Sequence, residues 1–139
     1  MKPVLLDTGV IVALLDRSER LHLQCVDAIQ DLSAPLVTCE AVIAEACYLL
    51  CRIRGAAAAV LQNVEQGNFQ IPLTLAPSAG PIQRILRKYQ DREIDLADAC
   101  LVHLAGELDT GDILTLDRDF EKYRWRGNKA FRFLLRPAQ

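Results

Sequence analysis

No apolar run in this 139-residue sequence reaches the roughly eighteen residues needed to cross a bilayer, so no membrane span is expected. No secretory signal is visible: the chain meets an acid, Asp7, close behind Met1, which predicts a soluble, cytoplasmic protein. Internal repeats and low-complexity linkers are missing, and the alanines at 56–59 are ordinary helix filler. The cysteines (Cys25, Cys39, Cys47, Cys51, Cys100) are odd in number and form no C-x-x-C pair, which argues against a disulfide framework. Most sit in apolar helical patterns, where a reduced thiol behaves as a small hydrophobe. Cys47 and Cys51, one turn apart, offer half a zinc site, but no neighbouring His or Cys supplies the other half. What remains, 51% hydrophobic and 24% charged residues, suits one globular domain over residues 1–139 with a core of its own and no room for a second.

Charge is scarce in net terms, −2, but unevenly spread. Residues 118–139 hold seven Lys or Arg (Arg118, Lys122, Arg124, Arg126, Lys129, Arg132, Arg136) against Asp119 and Glu121, a balance of +5 that leaves −7 for residues 1–117. With Tyr123, Trp125 and Phe131 interleaved, such a basic end suits a polyanion held across an acidic, cation-loaded pocket. Alternatively, the cations solvate an edge strand and its hairpin while the aromatics fill core.

The chain is organised around residues 2–15, KPVLLDTGVIVALL. Val4, Leu5 and Leu6 read as a buried strand, and Thr8-Gly9 turns the chain into a buried helical segment. Asp7 therefore stands at a strand's carboxyl end, where open α/β sheets build their crevices. Flanked by aliphatic residues it loses water, and it needs a cation or donors to stay ionised. Beyond it, the spacing predicts helices over 18–32, 40–54 (closed by Gly55), 56–65, 82–89 and 95–106, with a proline connector at 77–81. Strands are predicted at 36–38, 69–73, 112–116 and 131–135. Strands alternating with helices imply an α/β fold with a mainly parallel sheet and helices on both sides.

Three further acids behave like Asp7. Glu45 is the only charged residue in AVIAEACYLLC, a helix so apolar that burial is expected; Asp98 lies in the aliphatic LADACLVHLAG; Asp117 follows the strand ILTL. Each has a structural explanation. Asp7 could bond its own turn, Asp95 and Asp98 could form a capping box, Asp117 and Asp119 could shape a turn, and Glu45 could pair with Arg52. Together, however, four acids at a crevice or in buried helices make sense chiefly as a hard-cation site, since repulsion alone would protonate several. Oxygen ligands without a companion His or Cys set point to Mg2+ or Mn2+. Such ions activate water and neutralise phosphate oxygens, so the inferred reaction class is phosphodiester hydrolysis.

DTGVIVALL with Asp7, VIAEACYLL with Glu45, DLADACLVHLA with Asp98 and ILTLDRDF with Asp117 resemble, in order along the whole chain, the four acidic motifs of the PIN-domain ribonucleases, especially the VapC-type toxins of toxin–antitoxin pairs. The resemblance implies a three-layer α/β/α sandwich and a Mg2+- or Mn2+-dependent ribonuclease selective for single strands. It also implies a homodimer and, in the toxin branch, a cognate antitoxin. By it Asp7, Glu45 and Asp98 bind metal, Asp117 completes the site, Thr8 and Thr115 are hydroxyl supports, and Asp95 and Asp119 stay outside the ligand set. Arg118, Lys122 and Arg124, next to Asp117, are candidates for phosphate contact. Three other readings are a stand-alone RNA processing or decay nuclease, a PIN-like module that binds without cutting, and, because LLDTG also resembles the aspartic-protease signature, an aspartic protease. The last requires an all-β fold, which the Ala- and Leu-rich helical sequence after Asp-Thr-Gly disfavours.

Overall fold

A computed structural model describes residues 2–135; Arg136 of the basic end lies outside them. The first strand, β1 (Val4–Leu6), is the centre of the molecule: Leu5 and Leu6 are both fully buried although successive side chains point to opposite faces, so both faces of the sheet are covered. It is followed by α1 (Thr8–Leu15), α2 (His22–Gln30), β2 (Leu36–Val37), α3 (Glu40–Leu49), α4 (Ala56–Glu65), β3 (Phe69–Gln70), α5 (Leu75–Lys88), α6 (Leu96–Leu108) and β4 (Asp112–Leu114). The chain then forms a hairpin of β5 (Arg124–Trp125) and β6 (Lys129–Ala130) and ends, among described residues, in β7 (Arg132–Phe133).

Five strands form one sheet in the order β3-β2-β1-β4-β7, and every pairing is parallel. The result is the three-layer α/β/α arrangement. Val4 and Leu5 of β1 face Leu36 and Val37 of β2, while Leu5 and Leu6 face Ile113 and Leu114 of β4. Since β2 and β3 grow outward on one side of β1 and β4 is added on the other, the strand order reverses between β1 and β4. That is where an open sheet leaves a crevice at its carboxyl edge. No helix among the described residues is long and apolar enough to cross a membrane.

Several element bounds differ from the sequence expectation, each for a local reason. The helix expected from Ser18 begins at His22, because Asp16 captures the Ser18 N–H and hydroxyl at 2.9 and 2.6 Å and holds residues 16–21 as turns. The helix expected to reach Arg54 ends at Leu49; Leu50 is fully buried, and Gly55, at φ +79°, opens α4 rather than closing α3. The connector at 77–81 is helical: α5 starts at Leu75, so Pro77 falls in the first turn, where a missing N–H breaks nothing. Pro81 lies inside the helix and forgoes one bond. The strands expected at 36–38, 69–73, 112–116 and 131–135 are all present but two or three residues long.

The aromatics of the basic end are core. Phe120, Tyr123, Trp125 and Phe131 are buried, and Phe120 meets Tyr123 and Phe131 edge-on at 5.2 and 5.3 Å. The indole N–H of Trp125 donates to the Ala130 carbonyl across the hairpin, and Trp125 lies directly over Gly111 at the entry to β4. A Cβ at Gly111 would overlap the indole nitrogen and stand only 2.8 Å from the indole Cε2. Gly111→Ala is therefore expected to destabilise the fold by about 1–3 kcal/mol, the usual cost of forcing an extra carbon into a packed contact. Urea denaturation followed by Trp125 fluorescence measures it, and an unchanged midpoint would show that the hairpin shifts freely off the sheet.

Candidate metal centre

The crevice between β1 and β4 holds an acid from each strand exit and one from a helix. Asp7 leaves β1 and serves as the N-cap of α1; Asp117 follows β4; Asp98 is at the third position of α6. Carboxylate oxygens of these three residues lie within 4.8 Å of one another. Sheet and helices impose the approach. The parallel β1–β4 register brings the two strand exits side by side, and α6, capped by Asp95, points its amino terminus at them.

Asp7 is held on both oxygens. The Thr8 N–H donates to Oδ1 at 2.8 Å and the Thr115 hydroxyl to Oδ2 at 2.6 Å, while the same Thr115 oxygen accepts the Asp117 N–H at 2.9 Å. One buried hydroxyl thus ties the two strand exits together. Asp98 accepts a longer bond, 3.5 Å, from the hydroxyl of Tyr123, and Asp117 accepts from the Asp119 N–H at 2.9 Å. The Thr8 hydroxyl, also buried beside the acids, has no hydrogen-bond partner among the described residues.

Burial and mutual repulsion push the acids toward their protonated forms. Desolvation is the main cause at all three. It lifts Asp7 to about 6 against the pull of Thr115 and Thr8, and lifts Asp98 to about 8 with the charges of Asp7, Asp95, Asp117 and Glu45 adding to it. Asp117, half-buried, is raised in the same direction. Tyr123 is raised by its burial and then by the Asp98 carboxylate, so it stays a neutral donor. A divalent cation matches this donor set: clustered, desolvated oxygens with no thiol or imidazole among them and an unpartnered hydroxyl alongside.

Glu45 departs from expectation. It is exposed, not buried, and lies outside the close group of three. Val42, Ile43 and Ala46 form the buried stripe of α3, whereas Ala44, Glu45, Tyr48 and Leu49 face outward, so an apolar circumference does not mean an enclosed helix. Its charge nevertheless contributes to the raised values of Asp7, Asp98 and Asp117, which places it on the rim of the same crevice. Asp95 caps α6 by accepting the Asp98 N–H, and Asp119 gives its backbone N–H to the Asp117 carboxylate, so both support the cluster from outside it. Sequence reasoning does not attach Tyr123 to the acids, since nothing in its spacing ties it to α6. Of the proposed phosphate contacts, Arg118 is exposed and paired with Glu121 at 3.4 Å, Lys122 is exposed, and Arg124 donates to the carbonyls of Glu121 and Tyr123.

Residues 4–126 match the PIN domain family. The chain is 35% identical over 117 residues, 83% of its own length and 87% of the relative's, to Ribonuclease VapC26 of Mycobacterium tuberculosis (strain ATCC 25618 / H37Rv). In structure it resembles crystalline VapC20 of Mycobacterium tuberculosis, a Sarcin-Ricin loop cleaving toxin, with a TM-score of 0.78 at 20% identity, covering 86% of this chain and 93% of that one.

The titration of the acids has a measurable consequence. Between about pH 4, where such carboxyls titrate in the unfolded chain, and about pH 8, where Asp98 titrates in the fold, the folded state binds more protons than the unfolded one. Stability of the cation-free protein must therefore fall as pH rises through that window. After EDTA treatment, Tm should be lower at about pH 8 than at about pH 5, and the difference should shrink in Asp98→Asn. Added Mg2+ should restore more Tm at the higher pH; circular dichroism melts decide it, and a Tm that climbs with pH would contradict the charge clustering.

Proposed function

The chain belongs to the PIN-domain family, and from that premise we propose that it is an endoribonuclease, the toxin of a toxin–antitoxin pair, hydrolysing RNA phosphodiester bonds with Mg2+ or Mn2+. The observation that carries the reading is the meeting of Asp7, Asp98 and Asp117 within 4.8 Å at the reversal of the strand order. It is supported by a relative named as a ribonuclease that aligns with most of this chain. The α/β/α fold speaks against the aspartic-protease reading of LLDTG: here Asp-Thr-Gly is a strand-to-helix turn whose Asp caps α1.

In this reading the metal is held by Asp7, Asp98 and Asp117, with Glu45 completing the charge from the rim. When bound, the cation supplies charge neutralisation at the phosphate and a more acidic water. The side chains do the rest. Thr115 and the Thr8 N–H fix Asp7 so that its remaining lone pairs face the crevice, and Thr8 offers its free hydroxyl there. Asp98, beside Asp7 in the cluster, orients the attacking water from a carboxylate oxygen, while Tyr123 holds the other side of that carboxylate as a neutral donor. Asp117, anchored by the Asp119 N–H and joined to Asp7 through Thr115, keeps the two strand exits at a constant spacing.

We further propose one PIN-like domain over residues 1–139, acting in the cytoplasm as a homodimer with a cognate antitoxin. Tyr48, Leu49 and Ile53 on and after α3, with Leu61 on α4, are large apolar side chains left exposed, which supports coverage by protein partners.

A single-stranded RNA oligonucleotide should be cut in Mg2+, spared in EDTA and cut again on adding Mg2+ or Mn2+. Asp7→Asn or Asp98→Asn should abolish cleavage while Tm stays level or rises, since a repelling charge is lost. Thr115→Val, which removes only the tie between the strand exits, should cost about 10–100-fold in rate. Variants that cut at the wild-type rate, or EDTA-resistant cleavage, would refute the assignment.

A further inference from the structure

Beside the acidic centre lies a groove of the opposite sign. It measures about 590 Å³ and runs between α5, α6 and the β5–β6 hairpin. Arg84, Lys88, Arg124 and Arg126 line it, with His103 and the single acid Glu107 on its α6 wall. Only Arg126 among those four cations is ion-paired to a carboxylate within the described residues, with Asp109 at 2.8 Å. Lys88 donates to the Gly127 carbonyl at 3.2 Å, and Arg124 to two carbonyls at 2.9 Å, which position their charges without neutralising them. The His103 side chain is nine-tenths buried; its Nε2 has no hydrogen-bond partner, although Glu107 Oε1 stands 3.3 Å away.

The groove adjoins the acids. Tyr123, whose hydroxyl reaches Asp98, contacts Tyr89 edge-on at 5.1 Å, and the Tyr89 hydroxyl accepts the Arg124 N–H at 2.9 Å. His103 and Glu107 lie roughly 7 to 13 Å along the α6 axis from Asp98 and are turned about 140° and 180° around it, so the groove opens on a flank of that helix turned away from Asp98. An RNA strand leaving the acids would reach the unneutralised guanidinium and ammonium groups by passing Tyr123 and Tyr89 around the flank of α6.

Resting on the ribonuclease reading, we propose that this groove is a second binding site, which grips the sugar-phosphate backbone of single-stranded RNA flanking the cleaved bond. Arg84 and Lys88 of α5 and Arg124 of the hairpin are its phosphate contacts, and His103, its Nε2 buried against Glu107, is part of the wall. Because these groups bind the backbone, they add affinity and register without reading sequence. Residues 1–117 carry a net −7, so cations left without carboxylate partners are an attractive stretch for a polyanion on this chain.

The test measures binding of a labelled single-stranded RNA oligonucleotide by fluorescence anisotropy over a salt series, in the Asp98→Asn background so that cleavage does not intervene. Arg84→Gln with Lys88→Gln should raise Kd about tenfold or more and flatten the slope of log K against log salt by roughly 0.7 for each phosphate no longer neutralised, about 1.4 for the pair. The matched change Arg54→Gln, in the exposed turn before α4, should leave the slope alone. An unchanged slope in the double variant, with wild-type protein still cutting RNA, overturns the groove and leaves the nuclease reading standing. A flattened slope in a protein whose wild type never cuts RNA supports the groove and removes the nuclease reading. Poly-glutamate that binds as tightly as RNA and weakens equally in the double variant would assign the groove to an acidic peptide and overturn the proposal.

Discussion

Three carboxylates drawn together out of water are the constraint on which the architecture turns. Asp7, Asp98 and Asp117 repel one another and are desolvated, so each is held in place against its own electrostatic preference. What overrides that preference is rigid backbone: two parallel strands in register, a helix cap at Asp95, and the Thr115 hydroxyl that bonds the Asp7 carboxylate and the Asp117 amide at once. The folded chain stores a site that a divalent cation would relax, which is the reverse of a site assembled by its ligand.

The support for the acids is distributed by depth. Beneath them, the buried Leu5, Leu6, Ile113 and Leu114 leave the strand exits little freedom to splay. To one side, the aromatic group of Tyr89, Phe120, Tyr123 and Phe131 joins the hairpin to the body and brings the Tyr123 hydroxyl to Asp98. The basic hairpin is thereby coupled to the acidic crevice through packed rings, so the groove of cations and the cluster of acids keep a constant separation. A phosphate chain is recognised best by such a pairing, with negative ligands holding a cation at one phosphate and positive side chains holding its neighbours.

Much of this is legible in the order of residues, and the parts that are not share a cause. Asp7, Asp98 and Asp117 can be named because an acid within an aliphatic stretch is costly wherever that stretch is buried, and a strand's end is readable from its apolar run. Glu45 looks the same by that criterion and is exposed, since burial of α3 depends on what packs against each side of it and not on how apolar its circumference is. The prolines of α5 suggest a connector because Pro77 stops a helix anywhere but the first turn, and only the packing of α5 on α6 sets where that turn begins. Nothing local attaches Tyr123 or the basic groove to the acids; their place depends on a hairpin folded back across α6.

The sequence alone determined the α/β alternation, the central apolar strand and a set of four acids out of place, Asp7, Glu45, Asp98 and Asp117, because these are consequences of local periodicity and of the cost of burying charge. Tertiary structure alone decided which of those acids meet. Asp7 and Thr115 stand 108 positions apart and touch at 2.6 Å only because β4 is added beside β1 after two outward strands, an order that no local pattern encodes. It likewise decided that cations from α5 and from the hairpin line one groove, since charge sign is written in the residues but proximity is made by the crossover that packs one element on another.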